Sequence, residues 1–177
     1  MADSNITKRA LASSLKEIME TKPFLKISII EICEKCEMNR KSFYYHFKDK
    51  YDLVNWIFYS EFITATKKKE FNSWWYLLDD MCSYFYENRT FYRKTLNLEG
   101  QNSFSEYFRN ILVTIIYDDI ERIYGKEESV DFYVDFYAYA IVSSIKRWLI
   151  QQDCIPAEKF VFHLKKCLLK VFRKTLD

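Results

Sequence analysis

Helix-breaking residues are almost missing from this chain. It holds two prolines, Pro23 and Pro156, and two glycines, Gly100 and Gly125, among 177 residues. Glycine and proline cost about 1 and 3 kcal/mol relative to alanine inside a helix, so their scarcity makes long helices the default. No stretch reads as a convincing strand, and the expectation is an all-α chain of about nine helices. Its 15 phenylalanines, 14 tyrosines and 4 tryptophans put a sizeable core within reach.

Start signals place the first four helices. Ile6, Ala10, Leu11, Leu15, Ile18 and Met19 form an apolar stripe over a helix from about residue 4 to 21, stopped at Pro23. Ser28 followed three residues later by Glu31 is a capping box, with Ile27 and Ile32 as a hydrophobic staple. That helix runs to about Cys36. After a short Glu37-Met38-Asn39 turn, Asn39 caps a helix from Arg40 to His46, and Asp49 caps the next from Lys50. Two short helices joined by a tight turn are a helix-turn-helix.

The third helix is unusual in carrying both charge and aromatic rings. Residues 38–50 hold Arg40, Lys41, Lys48 and Lys50 against Asp49 alone, a local net charge of +3 in a chain whose total is +2. Phe43 and Phe47, four apart, point to one face and pack inward. Arg40, Lys41, Ser42, Tyr44, Tyr45 and His46 are left for the outer surface. A helix lying in a DNA major groove wants both kinds of residue, because phosphates flanking the groove accept hydrogen bonds from cations, hydroxyls and imidazoles.

Beyond Lys67-Lys68-Lys69 the composition shifts, with 28 of the 33 aromatics in residues 51–177. Helices are expected at about 73–88, 90–97, 103–124, 127–152 and 157–175, with Gly125 at a helix C-terminus and Pro156 in a first turn. In 127–152 one stripe is Val130, Val134, Tyr137, Ile141 and Ile145, and a second is Phe132, Phe136, Tyr139 and Ala140. The last helix repeats this with Phe160, Leu164, Cys167 and Val171 beside Val161, Leu168 and Phe172. One stripe serves the chain's own core. The other needs a second partner, and a twin subunit is the simplest, so a homodimer through the last two helices is expected. The alternative is that both helices sit deep in a monomer.

Other chemistry finds little footing. There is no glycine-rich phosphate loop, and His46 and His163 are far apart without a nucleophile beside them. The acidic clusters Asp79-Asp80 and Asp118-Asp119 with Glu121 read as solvated helix faces. Cys33-x-x-Cys36 falls mid-helix with no second pair at ligand spacing, so it reads as packing. No enzyme, cofactor or metal is expected. The odd count of five cysteines and the lack of a signal-peptide pattern point to a reduced, cytoplasmic setting. No apolar run approaches the ~18 residues of a membrane span. Aromatic cavities between helices are common ligand sites, which makes Tyr84, Tyr107, Tyr117 and Tyr137 candidates for a small-molecule pocket. Core packing is the plainer reading of each.

Residues 28–53, SIIEICEKCEMNRKSFYYHFKDKYDL, resemble the DNA-binding segment of TetR-family transcriptional regulators. The likeness rests on Ser28 capping helix two, Tyr44-Tyr45-His46-Phe47 ending helix three, and Lys50 opening helix four ahead of Leu53. It implies that Ser28, Tyr44, His46 and Lys50 contact phosphates of a double-stranded operator. Arg40, Lys41, Ser42 and Tyr45 would face bases or adjoining backbone, and Asn39 would cap and touch a phosphate. The family usually has glycine where this chain has Glu37. It also has small residues at the positions of Cys33 and Cys36. The resemblance further implies a DNA-binding part over residues 1–50 and a sensing and dimerising part over 51–177. It implies a ligand-responsive repressor reading a near-palindromic operator. Residues 84–96, YFYENRTFYRKTL, resemble the subgroup of dihydroxyacetone-kinase operon activators, in which a partner protein supplies the signal. Control by a partner protein rather than a small molecule is therefore the alternative.

Overall fold

We describe a computed structural model covering residues 2–66, 74–98, 102–126 and 129–174, with side chains described from residue 4 to 168. Among these residues there are nine helices and no strand. They are α1 (Ala2–Thr21), α2 (Ile29–Lys35), α3 (Arg40–His46), α4 (50–66), α5 (Trp74–Glu87), α6 (Arg89–Thr95), α7 (Phe104–Tyr124), α8 (Val130–Ile150) and α9 (Ala157–Lys174). A single 3-10 turn, Phe24–Lys26, links α1 to α2. None of the described helices is long and apolar enough to cross a membrane.

The expected caps set the helix starts. Ser28 Oγ accepts from the Glu31 N–H at 3.2 Å, and the Ser28 N–H donates to Glu31 Oε2 at 2.9 Å, closing the capping box. Asn39 Oδ1 accepts from the Ser42 N–H at 2.9 Å. Asp49 Oδ1 accepts from the N–H groups of Tyr51 and Asp52, both at 2.8 Å. Ser103 caps α7 by accepting from Glu106. Gly125 ends α7 with φ 85°, where a side chain would be strained.

α1 to α3 and the start of α4 form an N-terminal unit around Leu11, Leu15, Ile32, Phe43, Leu53 and Ile57, all fully buried. Ile6 is a correction: it is 64% exposed. At about 100° per residue it sits ~140° around the helix from Leu11, off the face that packs. α7 runs along α8, and α9 along α5. At the centre, the ring of Phe58 stacks on Phe85 at 5.5 Å and meets Phe104 edge-on at 5.4 Å, while Phe85 meets Tyr92 at 4.8 Å and Phe108 at 5.1 Å. Such pairs add about 0.5–1.5 kcal/mol each beyond buried area. The core is therefore continuous from the N-terminal unit into the helical body.

α4 departs from the expected regular helix. Tyr59–Ile63 winds as a π-helix between two α segments, Lys50–Phe58 and Thr64–Thr66. Hydroxyls accompany it: Ser60, Thr64 and Thr66 all donate back to carbonyls, Thr64 to Tyr59 across five residues at 3.0 Å. Such back-bonding competes with the regular ladder.

On α8 the two stripes separate as expected. Val130, Val134, Tyr137, Ile141 and Ile145 are buried, while Phe132, Phe136 and Tyr139 are 69%, 57% and 55% exposed. α9 is less regular. Val161, Leu164 and Leu168 are buried and Phe160 stacks on Trp148 at 4.2 Å. Cys167 faces out, and Phe162, which the spacing did not single out, is 60% exposed. The side chains of Val171 and Phe172, the Lys67–Lys69 run and Gly100 lie outside the described residues.

Candidate nucleic-acid interface

The turn between α2 and α3 fixes how the recognition surface is presented. The Met38 N–H donates to Cys33 O at 2.8 Å and the Glu37 N–H to Glu34 O at 3.1 Å. This is the double closure of a left-handed C-terminal cap, which needs a positive φ at the residue after the cap. Glu37 supplies it at φ 57°. A residue with a Cβ thus does the work usually given to glycine, at a cost on the order of 1 kcal/mol.

Below the turn, Phe43 and Phe47 seal α3 against the unit's core, with their rings 5.8 Å apart. Cys33 is buried beside them, and burial pushes its thiol pKa up. The Cys36 thiol donates to Ile32 O at 3.3 Å. Both cysteines therefore act as packing and helix-end groups.

The opposite face of α3 is open. Arg40, Lys41 and Tyr44 are exposed, Tyr45 is 82% exposed, and Ser42 and His46 are half-buried at its edges. The Arg40 guanidinium lies 5.8 Å from the Tyr44 ring, and Tyr45 meets His46 edge-on at 4.8 Å. These contacts limit the rotamers of the long side chains before any partner arrives. Asn39 and Ser28 stand exposed at the starts of α3 and α2. The Ser28 hydroxyl also donates to Glu31 Oε2 at 2.9 Å. Lys22 pairs with the same Glu31 carboxyl and, with the Ser28 bonds, holds its pKa near 2. Sequence spacing did not find this Lys22–Glu31 brace, because it closes across Pro23.

Lys50 stands differently from the other cations. Its ammonium donates to the carbonyls of Phe24 at 2.8 Å, Leu25 at 3.3 Å and Ile27 at 2.8 Å, and lies 4.6 Å from the Phe24 ring centre. Burial draws its pKa down. An ammonium has three donors, and here three carbonyls receive them. It ties the start of α4 to the connection that carries Ser28.

The four tyrosines of the expected pocket do not converge. The Tyr84 hydroxyl donates to Glu61 Oε2 at 2.8 Å and shares a 2.8 Å bond with Tyr92. Tyr137 shares a 2.7 Å bond with Tyr124. Tyr107 is half-buried on α7, and Tyr117, ten residues further along the same helix, is exposed beside Asp131. An open groove of about 360 Å³ between α7 and α8, lined by Ser103, Arg109, Tyr139 and Lys146, is bordered by none of the four.

Comparison with known proteins matches this geometry. Residues 13–57 fit the family model for bacterial regulatory proteins of the tetR family. Residues 72–170, more than half of the chain, fit the model described as the transcriptional regulator C-terminal region of that family. The chain is a TetR-family transcriptional regulator.

Members of this family bind DNA operators, typically as dimers. The regulator is 27% identical over 127 residues to the HTH-type dhaKLM operon transcriptional activator DhaS of Lactococcus lactis subsp. lactis strain IL1403, a match spanning 69% of this chain and 67% of that one. Two solved structures share the fold. One is the dihydroxyacetone kinase operon activator DhaS, at TM-score 0.67 and 22% identity, over 95% of this chain and 97% of the other. The second is a TetR transcriptional regulator from Streptococcus agalactiae 2603V, at TM-score 0.69 and 18% identity, over 99% and 96%.

Proposed function

We propose that this regulator reads a near-palindromic operator as a homodimer, with residues 1–50 binding DNA and 51–177 dimerising and receiving the signal. The observation that carries it is the open face of α3, where Arg40, Lys41, Tyr44 and Tyr45 stand exposed over a sealed Phe43–Phe47 base. In this reading Arg40, Lys41, Ser42 and Tyr45 meet bases or adjoining backbone. Ser28, Asn39, Tyr44 and His46 meet phosphates, and Lys50 either joins them or holds Ser28 in place. The dimer forms through α8 and α9, whose Phe132, Phe136, Tyr139 and Phe162 are exposed. The chain has no catalytic role and works in the cytoplasm, where the operator is.

The test is selection of duplexes from a random library, followed by titration over a range of salt. Binding of one recovered sequence is expected, with Lys41→Met lowering the salt slope by about one counterion. Lys50→Met separates the two roles of Lys50. A slope reduced by about one assigns it to a phosphate, and an unchanged slope with weaker binding assigns it to the carbonyls. Failure to recover any duplex would sink the reading.

Repression follows from simple occupancy of an operator. One observation favours activation: both DhaS matches are named as activators of an operon. A reporter behind the recovered operator separates the two, since deleting the regulator raises output from a repressed promoter and lowers it from an activated one.

A further inference from the structure

α6 is only seven residues long, yet two adjacent cations on it close the ends of two other helices. Arg93 Nε donates to Leu149 O at 2.6 Å and its Nη2 to Gln151 O at 3.0 Å, at the C-terminus of α8. Lys94 donates to Met19 O and, at 3.2 Å, to Glu20 O, in the last turn of α1. Neighbouring residues on a helix point about 100° apart, so one short helix reaches both sides at once. The last carbonyls of a helix lack intrahelical donors and carry partial negative charge, which makes them natural acceptors for cations.

The position of these two helices gives the contact a meaning. α1 belongs to the unit that carries the recognition surface. α8 carries the exposed Phe132–Phe136–Tyr139 stripe. The seam between α1 and α6 is open on either side of Lys94. One groove, about 360 Å³, runs past Met19, Glu20, Asn88 and Phe91, and another, about 470 Å³, past Pro23, Leu25, Asn97 and Leu98. Lys94 supplies hydrogen bonds across this seam, beside the buried side chains of Met19 and Phe91. Lys16 of α1 also reaches it, lying 5.6 Å from the Phe91 ring centre of α6, while its 2.6 Å ion pair with Glu61 joins α1 to α4.

We propose that Arg93 and Lys94 are positioning residues that set the distance between the two DNA-reading units of the dimer, by clipping α1 to the dimer-forming helix α8 through α6. This rests on the dimeric operator reading above. Inserting one base pair between half-sites moves them apart by 3.4 Å and turns one by about 36°. A stiff clip makes that shift costly, because the second unit no longer lands when the first is bound. A loosened clip lets the unit follow.

The experiment uses the full-length chain and the duplex it selects, rebuilt with spacers longer and shorter by one and two base pairs, and with one half-site alone. The wild type is expected to lose on the order of 10²-fold in affinity when simultaneous engagement is lost. Lys94→Met is expected to flatten that spacer profile to within about threefold while its affinity for the single half-site stays at the wild-type value. Lys94→Arg, which keeps the cation, restores the profile. Arg93→Met loosens the clip from the other end and carries the test if Lys94→Met does not fold. A folded Lys94→Met chain with the wild-type profile overturns the proposal, as does an equal loss on the single half-site. A wild type that selects no duplex overturns the operator reading as well, and so differs from failure of the clip alone.

Discussion

Glu37 is where a single side chain pays most visibly for the local geometry. Its φ of 57° is imposed by the two hydrogen bonds that close the end of α2. Glycine at this position removes the Cβ conflict but adds freedom to the unfolded chain. The first effect is the larger, so Glu37→Gly is expected to stabilise the protein by about 0.5–1 kcal/mol. A urea midpoint that falls would show that the carboxylate is held by something the turn geometry does not include. Glu31 gives the residue scale its pH dependence. The Lys22 ammonium first, then the Ser28 N–H and hydroxyl, lower its pKa from 4.5 to about 2. A carboxyl whose pKa is lower folded than unfolded stabilises above the unfolded value and loses that contribution as pH falls through the folded one. Stability should therefore decline between about pH 4.5 and 2. Glu31→Gln keeps the capping hydrogen bonds but cannot ionise, so its melting profile should lack part of that decline. Identical acid profiles for the two chains would contradict the assignment. Glu17, lowered by Lys35, contributes in the same direction.

At the scale of elements, the π-helical segment of α4 places Glu61 between two helices. It receives Lys16 from α1 at 2.6 Å and the Tyr84 hydroxyl from α5 at 2.8 Å, and Tyr84 in turn meets Tyr92 of α6. Burial pushes both tyrosine pKa values up, so the hydroxyls stay protonated. Tyr84 is the middle of this chain. Tyr84→Phe strands the fully buried Tyr92 hydroxyl, which should cost about 1–3 kcal/mol. Tyr92→Phe leaves Tyr84 bonded to Glu61 and should cost less. Chemical denaturation of the two variants ranks them, and the reverse order would show that the Glu61 end, not the buried end, carries the energy.

For the whole molecule the exposed aromatics of α8 matter most. A Phe132→Asp, Phe136→Asp double variant is expected to sediment as a single subunit, with palindrome affinity down on the order of 10²-fold and half-site affinity kept. A dimer that survives both charges would move the interface elsewhere on the surface. Arg109 lies close by, bonded to Asp135 at 2.8 Å and 5.0 Å from the Tyr139 ring centre, and it joins α7 to α8 beneath this face.

How much of this was legible in the sequence depends on reach along the chain. Ser28, Asn39 and Asp49 cap within three residues, and the two stripes of α8 repeat every three or four, so helix starts, the sealed Phe43–Phe47 face and the outward Arg40–Tyr45 face could be read directly. The same rules misplaced Ile6 and passed over Phe162, because periodicity names a stripe without saying which neighbours cover it. The π-helical segment, the scattering of Tyr84, Tyr107, Tyr117 and Tyr137, and the engagement of Lys50 were decided by packing. The Lys94 contact with Met19 joins residues 75 apart, and that of Arg93 with Leu149 joins residues 56 apart. Sequence alone determined which helices form and which face of α3 is charged. Only the tertiary structure decided where each cation ends up, because a carbonyl at the end of a distant helix leaves no mark on the residues that surround its donor.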